Sequence, residues 1–111
     1  CYVFHEVNAF RDGDQVIVDV CRHDQMFADG GDLGDTVLRV HRWHIDTAGS
    51  QLAFRDEIAL DREFELPSHD RRFSGRRHRY GWFVTTRDHP DTVDLAGIAR
   101  IDYDSGRVAH W

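Results

Sequence analysis

Phe4-His5-Glu6-Val7-Asn8-Ala9-Phe10, Arg11-Asp12-Gly13-Asp14 and Gln15-Val16-Ile17-Val18-Asp19-Val20-Cys21 follow one another near the start of the chain. The first stretch mixes apolar residues with His5, Glu6 and Asn8, as a strand with one functional face does. The second gathers Asp around a Gly, the chemistry of a tight turn. The third is apolar and rich in β-branched residues, which suits a buried strand. Together they read as strand, turn and strand, with one histidine in the middle of the first.

Working outward, nearly everything reads as strand or turn. Residues 23–35 hold Asp-Gly-Gly-Asp and Leu-Gly-Asp and read as a loop. Residues 36–46 alternate, so that Val37, Arg39, His41, Trp43 and Ile45 share a face. Thr47-Ala48-Gly49-Ser50 predicts a hairpin turn into a strand over 51–58. Residues 61–75, with Glu65 and Pro67, read as irregular. Residues 79–86 form an aromatic strand, and 88–94, with Pro90, a loop. Residues 95–103 and 107–111 predict a last hairpin around Asp104-Ser105-Gly106.

A weak internal repeat lies inside this pattern. Trp43-His44-Ile45-Asp46-Thr47-Ala48-Gly49 is similar to Ala99-Arg100-Ile101-Asp102-Tyr103-Asp104-Ser105-Gly106, and Asp46 and Asp102 lie 56 positions apart. Each is a strand end, a Gly-containing turn and a return strand. Propeller blades recur at about 40–50 residues, longer with an insertion, and 61–75 is the candidate insertion.

Composition narrows the function classes. The chain has 111 residues, 12% of them aromatic and 41% hydrophobic, enough for a core in one small domain. Its net charge is −6 and every basic residue is Arg. The local run Arg71, Arg72, Arg76, Arg77 and Arg79 reads as a solvated loop and strand edge, so no nucleic-acid groove is expected. No apolar stretch approaches the eighteen or so residues of a membrane span. Cys1 and Cys21 form neither a disulfide framework nor a CxxC site, and read as reduced, buried thiols of a cytoplasmic protein.

Among eight histidines, His41 and His44 look like a chelating pair, but residues three apart on a strand face opposite sides. No CxxC or HxxxH element supports zinc. Phe10, Phe73, Tyr80, Trp82 and Phe83 are candidates for an apolar wall, though such residues are ordinarily core.

The segment from Phe4 to Cys21 resembles the carotenoid cleavage oxygenases, a family that takes in lignostilbene dioxygenases and retinal pigment epithelial membrane protein. Its members carry a Phe-His-x-x-Asn-Ala/Thr-aromatic segment, a Gly-containing turn and a Val-Asp-x-Cys strand. Phe64-Glu65-Leu66-Pro67 and Arg79-Tyr80-Gly81-Trp82 are similar to two further family segments. The resemblance implies an all-β fold, about two blades of a seven-bladed β-propeller, with the chain an internal fragment cut at both ends. It implies that His5 is one of four histidine ligands to iron, Fe(2+). Glu65 would be an outer carboxylate, hydrogen-bonded to the far ring nitrogen of His5. The family usually has a second histidine where this chain has Glu6, which changes the charge beside the site but not the ligand. His23, His69, His78, His89 and His110 match no ligand position.

The implied activity is oxidative cleavage of a carbon–carbon double bond by dioxygen, giving two carbonyl products, with a carotenoid, apocarotenoid or stilbene as the apolar substrate. The fragment alone is expected to be inactive. Any peripheral membrane contact would come through parts outside this stretch. The competing expectation is a non-catalytic propeller scaffold in which His5 is structural.

Overall fold

The computed structural model describes residues 1–25, 37–49, 51, 53–60, 63–87 and 94–111. They form two four-stranded antiparallel sheets, each a simple meander. The first contains β1 (Tyr2–Asp12), β2 (Gln15–His23), β3 (Leu38–Asp46) and β4 (Ala53–Leu60). The second contains β5 (Phe64–Ser68), β6 (Tyr80–Arg87), β7 (Asp94–Asp102) and β8 (Arg107–His110). This bears out the all-β expectation, and four-stranded meanders are what propeller blades are made of. Among the described residues no helix is long and apolar enough to cross a membrane.

Local chemistry explains the turns. Gly13 adopts φ of +59°, left-handed backbone that costs glycine least, and closes the β1–β2 hairpin. The internal repeat corresponds to real structure. Asp46 and Asp102 end the third strand of their sheets, and each carboxylate accepts the N–H two residues on, Ala48 at 2.9 Å and Asp104 at 3.1 Å. That short side-chain turn launches the fourth strand in both sheets.

The core lies between the sheets. Val7, Cys21, Leu38 and Val40 from the first meet Phe64, Phe83, Ala99 and Ile101 from the second. Phe64 stacks on Phe83 with ring centroids 5.6 Å apart. Each Val, Leu, Ile or Phe among them contributes about 1.5–3 kcal/mol when fully buried. β5 touches β1, β2 and β3, so the first strand of the second sheet closes the seam.

Two sequence expectations fail here. Residues 61–75 are not a mere insertion, because Phe64–Ser68 is a strand paired with β6. Leu66, at φ of +48°, and Pro67 disguise it, and its pairing slips between Glu65 and Ser68. His23 is not in a loop. It ends β2, paired with Tyr2 and Leu38, because the ladder continues two residues past Cys21. The remainder of that loop, from 26 to 35, lies outside the described residues, as do 88–93 with His89. Cys21 and Cys1 are free thiols, but only Cys21 is buried.

Candidate functional site

β1 is not a straight strand. Its register against β2 slips between Val3 and His5 and again between Glu6 and Asn8. Each slip places an extra residue on β1. Bulges of this kind re-aim side chains and are enriched beside active sites. Here they bracket His5. The second one lets Val7 enter the core while its neighbour Asn8 is also buried, which strict alternation forbids.

His5 reaches across to the second sheet. Its Nδ1 lies 2.7 Å from Glu65 Oε2, a bond between residues 60 positions apart. An ionised carboxylate only accepts, so Nδ1–H donates and Nε2 carries the lone pair. Among the described residues Nε2 has no hydrogen-bond partner, and the side chain is 45% exposed. One nitrogen is therefore anchored while the other is open, the arrangement of a histidine ready to bind a metal.

Glu65 accepts three hydrogen bonds. Oε2 also accepts Leu66 N–H at 2.8 Å, and Oε1 accepts from His23 Nε2 at 3.0 Å. The left-handed turn at Leu66 folds the backbone N–H back onto the carboxylate of the preceding residue. The sequence reading gave His23 no role at the site, and no local spacing could have found one, since its partner lies 42 positions away.

Cys21 faces His5 in the β1–β2 ladder. Burial first, and the charge of Glu65 second, push its thiol well above the ordinary value. Both effects favour the neutral thiol over the thiolate. His41 and His44 diverge as alternation requires: His41 bonds Asp56 at 2.6 Å and His44 bonds Glu57 at 3.2 Å. No group of three or more His, Cys, Asp or Glu that could hold a metal occurs among the described residues. The residues present therefore fit one ligand position of a histidine site and its carboxylate support.

The expected apolar wall divides. Phe10 and Phe83 are buried. Phe73, Tyr80 and Trp82 line a cleft of about 630 Å³ with Asp70, Arg72, Arg77, Arg79 and Asp104. Neither His5 nor Glu65 lines it. The arginine run is largely paired: Arg72 with Asp70, Arg77 with Asp104 and Arg79 with Asp102.

The second polar cluster is closed. Asn8 Nδ2 lies 3.2 Å from Phe73 O, 3.0 Å from Arg76 O and 3.1 Å from His78 Nδ1. Two hydrogens are thus shared among three acceptors. Asn8 Oδ1 accepts Gly75 N–H at 3.2 Å. Below it, Asp19, with no exposed surface, takes a two-pronged bond from Arg42 at 2.7 and 2.8 Å. The Arg42 guanidinium lies over the Tyr103 ring, 4.6 Å from its centre. His78 Nε2 is 3.5 Å from Asp19 Oδ2, too long for a good hydrogen bond, and burial lowers the pKa of this imidazole.

Comparison with known proteins bears on the family and the fold. The family model described as retinal pigment epithelial membrane protein matches residues 1–111. The lignostilbene dioxygenase of Pseudomonas brassicacearum superposes with a TM-score of 0.85 at 19% identity, covering 99% of this chain and 26% of that one. A cobalt-substituted Synechocystis apocarotenoid oxygenase superposes with a TM-score of 0.82 at 23% identity, covering 99% and 24%. The chain thus spans about a quarter of the length of these solved structures. No curated protein sequence matches it.

Proposed function

We propose a function for a chain that belongs to the retinal pigment epithelial membrane protein family: it forms part of an iron(II) dioxygenase that cleaves a carbon–carbon double bond of a carotenoid, apocarotenoid or stilbene. The observation that carries this reading is the 2.7 Å bond from His5 Nδ1 to Glu65, with Nε2 left open. Iron bound at Nε2 would supply dioxygen activation, and both oxygen atoms would end in the two carbonyl products. The chain's own residues supply orientation. The Glu65 carboxylate fixes the His5 tautomer and raises the basicity of its open nitrogen. Burial and the charge of Glu65 favour the neutral thiol of Cys21. The remaining imidazoles come from outside this stretch, in keeping with the length of the solved relatives.

The test is made in the full-length protein that carries the chain. His5→Ala is expected to abolish cleavage and strip the iron, whereas His44→Ala leaves both nearly intact, since His44 bonds an exposed glutamate on β4. Equal iron content in the two variants would overturn the reading and favour a non-catalytic scaffold.

A further inference from the structure

The Glu65 carboxylate carries more than a histidine support requires. One imidazole on one oxygen is enough to fix a ligand's tautomer. Here the other oxygen is taken by a second imidazole, that of His23, 3.0 Å away. His23 is only 7% exposed, and its Nδ1 is buried with no partner among the described residues. Phe4, the residue next to His5, stands edge-on against the His23 ring at 5.5 Å. A buried imidazole with one bare nitrogen costs stability unless its other nitrogen makes a strong bond. Among the described residues the one polar contact of this ring is with Glu65, and burial against Phe4 holds the ring on it.

We propose that His23 is a positioning residue for the His5 site, acting through Glu65; this rests on the iron-ligand reading of His5. His23 Nε2–H and Leu66 N–H pin one oxygen each, and His5 Nδ1–H meets a carboxylate that cannot rotate. The need arises from β5. Glu65 stands where that strand loses register with β6, next to the left-handed Leu66, so the ladder alone does not fix its side chain. His23 replaces that missing constraint from β2. Three elements, β1, β2 and β5, thereby converge on two oxygens.

The experiment uses the full-length protein with 15N-labelled histidine, metal-free for ring tautomers and then titrated with cobalt(II). In the wild type, His23 is expected as the Nε2–H tautomer and His5 as Nδ1–H. His23→Phe keeps the ring shape and its packing on Phe4 but removes the donor. The His5 Nδ1–H signal should then average between tautomers, and cobalt(II) affinity should fall about tenfold, the lower end of the usual outer-partner effect. His23→Gln, which returns an N–H, should restore most of both. A wild-type His23 found as Nδ1–H overturns the proposal, whatever the variants do. So does a His23→Phe protein with unchanged His5 tautomer and affinity. Failure of the iron reading is separate: His5→Ala would then leave cobalt(II) affinity unchanged, while the metal-free tautomers still judge the His23 contact.

Discussion

The two polar clusters that join the sheets use the same residue types for opposite ends. At one, His5, Glu65 and His23 leave an imidazole nitrogen facing outward on a half-exposed ring. At the other, Asn8, His78, Asp19 and Arg42 turn their polar atoms inward and hold the 71–76 turn against β1. Both begin from neighbouring positions on β1, and the bulge between Glu6 and Asn8 separates them. A histidine beside a carboxylate is therefore no signal by itself. The second nitrogen of His78 also lacks a good bond, so what divides a candidate ligand from a structural clasp is exposure: the His5 side chain is half-exposed and that of His78 is buried.

The sharpest way to break this contrast is at Asp19. Asp19→Ala would leave the partly buried Arg42 without its two-pronged partner, and breaking such a pair costs about 3–5 kcal/mol. Urea denaturation of the full-length protein measures it, and a change below about 1 kcal/mol would mean the closed cluster is not a clasp. His5→Ala should do the reverse, costing at most about 1 kcal/mol of folding stability while removing the bound iron. A large folding loss there would erase the distinction.

Glu65→Gln sharpens the comparison further. The amide keeps the shape but loses the charge, so iron affinity should drop about 10–100-fold. Metal titration beside His44→Ala, expected to be unchanged, is the check. Equal losses in both would detach Glu65 from the site.

The smallest effect concerns acidity. Burial lowers the pKa of His78 from its ordinary 6.5. The unfolded chain then takes up this proton at a higher pH than the folded one. Stability from the closed cluster is complete above about 6.5 and declines as pH falls below it toward the folded-state value. His78→Asn should flatten that part of the stability–pH curve. A slope unchanged by the substitution would place the titration elsewhere. Asp19, Arg42 and His69 are the charged or titratable groups that act on His78.

Much of this was legible in the sequence, and the failures share a cause. The Asp46 and Asp102 turns could be read because an Asx turn is local, with donor and acceptor two residues apart. His5 and Glu65 could be read because the segments around them carry family motifs. β5 could not, since Leu66 and Pro67 argue against a strand and only pairing with β6 overrules them. Nor could His23 or His78, whose partners lie tens of residues away with nothing periodic between. The bulges were invisible for the same reason: they are defined by a partner strand.

The bond between His5 and Glu65 spans 60 positions of chain and joins one sheet to the other. Closing so long a loop costs entropy that is repaid only once both sheets have formed and met. The open nitrogen of His5 therefore acquires its fixed tautomer at the end of folding, not during it. If His5 is the iron ligand proposed above, a metal would meet its fixed tautomer only after the architecture around it has closed.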